Sequence, residues 1–450
     1  MPKILGLAVT AIGAVVLATL AVMGVVKHCA RVPVSNSRGA QVSATTSTLA
    51  DVRIQAAEQL IQKAPFKPDG YNRLAAAFMQ KARETNDFGF NARAEAALGR
   101  SLELAADNYD AIKLRAKLLL TYHRFSEALD VTRHAQTLRP DDHDVYGAMT
   151  DALVELGDYE GAIEAAQKMV DLRPDSSSYA RVSYLRSLHG DVAGAVVAMR
   201  VAVKAADPND REGSAWCRVH LGDELLNAGK LIDADREYDK ALFSFPNYPL
   251  ALAAKGRLQI RRGDLPGALK NYQRAQLGAP LPEIAVALGN LYASLGLTDE
   301  AKRQYELVEF IERTAASANT YSRQLSLFWA DHDLRLDEAL AIARRERSTR
   351  QDIFTCDALA WALFKNNRFD EAKQSITQAL RLGTRNAHIF YHAGMIYNSL
   401  GDTKNAFKYL KLALKTDPTF DLLQADKGRQ TLDTLNYRTS IKHQSIGRPL

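Results

Sequence analysis

The chain has 450 residues, 47% hydrophobic and 24% charged, with a net charge of +6 and a pI near 9.0. That balance excludes disorder over the whole length, and the charge is mild, so no nucleic-acid partner is expected. The three cysteines, Cys29, Cys217 and Cys356, are far apart and form neither a disulfide framework nor a zinc spacing.

Residues 4–26, "ILGLAVTAIGAVVLATLAVMGVV", carry no charge. At 1.5 Å per residue such a run crosses a hydrocarbon core of about 30 Å. It is longer than the apolar part of a cleaved signal peptide, and Lys27 and His28 do not suit a lipoprotein site at Cys29. Residues 1–26 are therefore expected to be an uncleaved transmembrane anchor, with a cleaved signal as the alternative. Basic residues on the two sides nearly balance, so orientation is weakly set; the leaning is a single-pass protein with an extracytoplasmic, periplasmic domain. Residues 27–50 are mostly small and polar and read as a flexible linker.

The stretch 151–175, "DALVELGDYEGAIEAAQKMVDLRPD", reads as two short helices with a Gly between them and a Pro at the end. Neither helix is long enough to be stable alone in water. The Ala at 162 recurs as Ala94, Ala128, Ala195, Ala234, Ala268, Ala301, Ala339, Ala372 and Ala406, mostly at steps of 33 or 34. Pro140, Pro174, Pro246, Pro280 and Pro418 close many of the units, and Gly157, Gly190, Gly229, Gly263, Gly296 and Gly401 mark the turns between helices.

This pattern resembles the tetratricopeptide repeat, over about residues 51–418. The resemblance implies an all-α, right-handed superhelical α-solenoid of about ten helix-turn-helix repeats, each burying its apolar face on its neighbours. In its 34-residue frame, position 8 must be small; here it is Ala75, Ala116, Thr150, Ser183, Gly222, Gly256, Gly289, Leu327, Ala360 and Gly394. Position 20 is the recurring Ala, and position 27 is usually small. The first copy has extra residues, "RETNDFG", between its helices, and the seventh has a longer second helix. The eighth departs most, with Leu327 at position 8 and Glu346 at position 27. Residues 51–64 read as a lone second helix closed by Pro68, 419–436 as a capping helix and 437–450 as a basic tail. The stretches "DALAWALFKNN" and "YHAGMIYNSLGD" also look like a group of bacterial repeat proteins with an N-terminal membrane segment.

Signals for catalysis are weak. His388 and His392 share one helix face but lack the Glu of a zinc protease motif. Asp331, His332 and Asp333 cluster at a helix end, and "ARRERSTR", 343–350, is strongly basic; both suit solvated helix surfaces. No metal, cofactor or catalysis is expected. The family lines a concave groove with its first helices, and there the later repeats present Tyr321, Phe328, Phe354, Trp361, Phe364, Tyr391 and Met395. A contiguous apolar stripe suits a protein or peptide partner, or the chain's own C-terminal helix, with Phe420, Leu422, Leu423, Leu432 and Leu435, folding over it. The expected function is a membrane-tethered scaffold for protein–protein interaction. Self-assembly into a homo-oligomer and presentation of substrates within an enzyme complex are the alternatives.

Overall fold

The computed structural model describes residues 48–85, 87–316 and 323–446. Among the described residues there are 22 helices and no strand. Helices follow one another as antiparallel pairs, and the chain is an α-solenoid of tetratricopeptide-like repeats. The expected membrane-anchored, periplasmic localisation is corrected, because no helix among the described residues is long and apolar enough to cross a membrane. The run 4–26 and nearly all of the linker lie outside the described residues.

The described chain divides into two compact units. The smaller holds residues 48–149 with 310–316, and its core gathers Ala75, Phe78, Ala94, Leu98, Ala111 and Leu118. Its leading helix, Leu49–Lys63, is capped by Thr48, whose side chain accepts from the Asp51 amide while Asp51 accepts from Thr48. Pro68 does not close that helix; it opens the next one, Pro68–Thr85, where its missing N–H costs nothing. Arg83, Glu84 and Thr85, three of the extra residues of the first repeat, extend this helix to 18 residues.

The larger unit holds residues 150–309 and the described residues from 323 onward. Throughout the array the position-20 alanines are at most 4% exposed, because a second helix crosses each there at close range. Gly222, Gly256 and Gly289 at position 8 have a specific reason. The rings of Tyr238, Tyr272 and Tyr305 lie where a side chain would be; a Cβ on Gly256 would stand 2.6 Å from the Tyr272 ring. Two of these tyrosines then reach position 9 of their own repeat: Tyr238 donates to Asp223 (2.8 Å) and Tyr305 to Asn290 (2.9 Å).

The eighth repeat is corrected by one residue. Ser326, fully buried, occupies the small position, and its hydroxyl donates to the Ala339 carbonyl at 2.8 Å. Ser183 does the same to Ala195 in the fourth repeat, at 2.9 Å. The extra residue sits in the turn, where Asp333 and Arg335 both take positive φ, 55° and 40°. Leu327 therefore does not break the pattern, and Phe328 falls one place further along than position 9.

The larger unit closes on itself. The Gln351 amide donates to the Glu155 carbonyl (2.9 Å), and the Ile353 amide to the Tyr159 hydroxyl (3.0 Å). Arg350, 2% exposed, lies 3.3 Å from the Glu155 carboxylate and 3.4 Å from Glu346. One repeat further on, the Thr384 hydroxyl donates to the Leu188 carbonyl. The third and fourth repeats thus hold the starts of the ninth and tenth.

Gly157 reports on this closure. It has φ +78°, and a Cβ there would stand 2.6 Å from the Gln351 carbonyl oxygen. Gly229 has φ +75° and open space around it. Gly229→Ala should cost only the left-handed strain, about 1–2 kcal/mol. Gly157→Ala adds a backbone clash and should cost about twice as much or more. Thermal melts followed by circular dichroism check the order; equal losses would mean the closure contributes nothing to stability.

Candidate functional site

In the larger unit, the face lined by the first helices of repeats six to ten carries a dense polar and aromatic cluster. The helix Ile353–Lys365 starts at Asp352, which accepts from the amides of Phe354 (2.9 Å) and Thr355 (3.1 Å). Arg323 pairs with Asp352 at 2.9 Å. Burial works against the Asp352 charge, but Arg323 and Arg350 outweigh it and hold its pKa below the usual carboxylate range.

Trp361 is the centre of the cluster. It is 1% exposed, stacks on Phe364 (4.8 Å) and His392 (4.2 Å), and donates its indole N–H to Asp331 Oδ1 at 2.8 Å. His392, 3% exposed, meets Asp357 at 2.9 Å. Burial opposes charge on His392; the Asp357 charge and hydrogen bond, with help from Asp331, outweigh it and raise its pKa. Asp331 keeps some accessible surface but is ringed by protein, and that burial pushes its carboxyl up to about 7, against the pull of His392.

The chain beyond repeat ten returns to this face. The helix Thr403–Thr416 ends, residues 417–423 form turns, and the last helix is Gln424–Ile446, later and longer than the 419–436 read from sequence. Tyr391 donates its hydroxyl to Gln424 Oε1 (2.9 Å), and Gln424 donates its amide to the Asp331 carbonyl (2.9 Å). The Phe420 ring lies 5.2 Å from both Tyr391 and His388.

The expected groove residues are placed as follows. Tyr321 lies outside the described residues. Phe328 (2%) and Tyr391 (1%) are buried like Trp361. Phe354, Phe364 and Met395 are half-buried, with Arg323 over the Phe354 ring at 5.6 Å. Tyr391 is thus covered by the chain's own C-terminal segment, through the turn residue Phe420 and the first helical residue Gln424, while Trp361 is packed among Phe364, Tyr391, His392 and Asp331. Asp333 of the Asp331–Asp333 cluster lies in an exposed turn, yet each member has a partner: Asp331 meets Trp361, His332 Nε2 lies 2.9 Å from Asn290 Oδ1, and Asp333 pairs with Lys365 at 2.7 Å. His388 and His392 part company, one facing Phe420 and the other Asp357. Among the described residues no group of three His, Cys, Asp or Glu is placed to hold a metal. Sequence reasoning missed Asp357, Gln424 and Arg261, whose partners lie tens of residues or more away.

The model of the tetratricopeptide repeat family matches residues 220–282 and 358–419. The chain carries tetratricopeptide repeats. These two matches cover most of the fifth and sixth repeats and of the ninth and tenth. A curated relative, the RNA polymerase-associated protein CTR9 of Caenorhabditis elegans, is 24% identical over 236 residues. That match covers 48% of this chain and 18% of the relative, so the chain spans less than a fifth of its length. Among solved structures, human IFIT1, in a dimer with PPP-AAAA, is 16% identical with a TM-score of 0.48, covering 73% of this chain and 77% of that one. The APC/C hetero-tetramer Cut9-Hcn1 is 14% identical with a TM-score of 0.33, covering 85% and 92%. Tetratricopeptide arrays are generally non-catalytic and bind protein partners.

Two outcomes follow from the cluster. Trp361→Ala deletes a buried indole and should cost about 3–5 kcal/mol, read as a large drop in melting temperature. Asp331 is raised in the folded state, so ionising it costs stability as pH rises from about 4 to about 7. Asp331→Asn removes that cost while keeping an acceptor for Trp361. Its melting temperature should gain on that of the unaltered chain between pH 5 and pH 7.5; a constant difference across that range would show that Asp331 titrates normally.

Proposed function

We propose that this chain is a tetratricopeptide scaffold that binds a protein or peptide partner on the face lined by its first helices, without catalysis of its own. The observation that carries this reading is that the face already holds a non-helical stretch of chain, residues 417–423, through side chains from several repeats. A surface that holds one such segment by ring contacts and hydrogen bonds is chemically suited to another. The titratable groups at its centre are engaged in structural pairs, Asp331 with Trp361 and His392 with Asp357. Phe354, Phe364 and Met395 keep accessible apolar surface beside them for a partner.

Crosslinking in the source cells, followed by mass spectrometry, tests this reading. The expected result is a heteromeric complex whose crosslinks map to first-helix residues on this face such as Lys365. Crosslinks confined to copies of the chain itself would replace the scaffold with self-assembly.

A further inference from the structure

The segment that crosses the first-helix face reads Thr416-Asp417-Pro418-Thr419-Phe420-Asp421-Leu422-Leu423-Gln424. It is held at three places along its length. At one end, Arg261 donates from Nη2 to the Thr416 carbonyl (3.0 Å) and lies 3.6 Å from the Asp417 carboxylate. In the middle, Phe420 sits against His388 and Tyr391, each 5.2 Å away, and Asp421 accepts from the Asn290 amide at 3.5 Å. At the other end, Gln424 bonds to the Tyr391 hydroxyl and the Asp331 carbonyl, both at 2.9 Å.

The five groups of this seat come from four repeats: Arg261 from the sixth, Asn290 from the seventh, Asp331 from the eighth, His388 and Tyr391 from the tenth. A helix that merely caps a solenoid needs only the last repeat. Here the chain reaches from repeat ten to repeat six, and at each stop a different chemistry is matched: cation to carboxylate, aromatic to aromatic, amide and hydroxyl to amide. The segment brings its own shape. Asp417 Oδ1 accepts from the Thr419 amide (2.9 Å), and Asp421 Oδ1 from the amides of Leu423 and Gln424 (2.7 Å each).

We infer that this seat is a peptide-recognition site held shut by the chain's own residues 416–424, and that its external ligand is a partner-protein segment of the same chemistry. That chemistry is an acid, a Phe three residues on, a second acid beside it and an amide three further: D-x-x-F-D-x-x-Q. The inference rests on the scaffold reading and narrows it to one seat and one ligand class. Because the resident segment is tethered, a free competitor sees only the open fraction of molecules, and its apparent affinity falls by that fraction. Weakening the resident segment without touching the seat should therefore reveal the site.

The test uses the full chain and a fluorescein-labelled synthetic peptide of residues 414–426. Phe420→Ala and Gln424→Ala each loosen the resident segment and leave Arg261, Asn290, Asp331, His388 and Tyr391 in place. By fluorescence anisotropy, at least one of these variants should bind the peptide tenfold or more tighter than the unaltered chain. Replacing Phe by Ala in the peptide, or adding Arg261→Ala to the opened variant, should reverse the gain. Circular dichroism melts run beside the binding assay, and Gln424→Ala serves where Phe420→Ala does not fold. If both variants fold and neither binds the peptide more tightly than the unaltered chain, the inference is overturned, as it is if the gain persists when the peptide lacks its Phe. Dimerisation of the opened variant that the peptide does not disrupt, seen by analytical ultracentrifugation, would assign the seat to a second copy and overturn the partner class. None of these outcomes touches the crosslinking result, which reads partner binding anywhere on the face.

Discussion

The hydrogen bond from the Gln351 amide to the Glu155 carbonyl, across 196 positions of sequence, is the constraint on which the larger unit depends. A stack of helix pairs gains stability only between neighbours. This bond, with Arg350 between Glu155 and Glu346, adds a contact between repeats that are not neighbours. Placing an arginine in such a position carries a desolvation cost, which is offset only when the guanidinium meets carboxylates on both sides. The ninth repeat is thus held against the third, and the face lined by the first helices of repeats six to ten, crossed by residues 416–424, is no longer a simple exposed groove.

Packing and polar pairing are linked in several repeats. Of the position-8 glycines, Gly222, Gly256 and Gly289 each lie under a tyrosine of the second helix, which in two repeats sends its hydroxyl to position 9, whereas Gly394 meets Leu410. In the ninth repeat position 8 is Ala360, and position 9 is Trp361, whose N–H crosses to Asp331 of the repeat before. An indole needs a partner for its N–H when it is buried, and Asp331 supplies it. The same Asp331 offers its carbonyl to Gln424, so the aromatic cluster and the terminal segment are joined through one residue. Rigid support of this kind is what a recognition surface needs, since ordering the receptor on binding would otherwise cost affinity.

The terminal segment changes how the repeats are read as a binding surface. An open groove competes only with water, whereas this one competes with a tethered stretch of its own chain. In the proposed reading, the resident residues are both a structural cap and a template for what the seat recognises. Fold alone does not specify a partner; here the occupant provides the chemical description that the fold lacks.

Periodicity made the array legible. The spacing of Ala162 and its equivalents is set by the geometry of a helix pair, in which a large side chain at positions 8 or 20 would force the helices apart, so local sequence carries the information. Glycine turns such as Gly157 were legible for the same reason, because their positive φ is a local demand. The one-residue shift of Ser326 was not, since a turn with Asp333 and Arg335 at positive φ has no glycine to announce it. Nor could the sequence show that Trp361 is buried: a position-9 side chain points to the same face whether that face is open or filled. Only the tertiary structure decided this, because two groups packed on Trp361, namely Asp331 and His392, and the closure at Glu155 and Gln351 act between residues tens to hundreds of positions apart. No repeat spacing encodes contacts between distant repeats, which depend on the small twists accumulated across the whole stack.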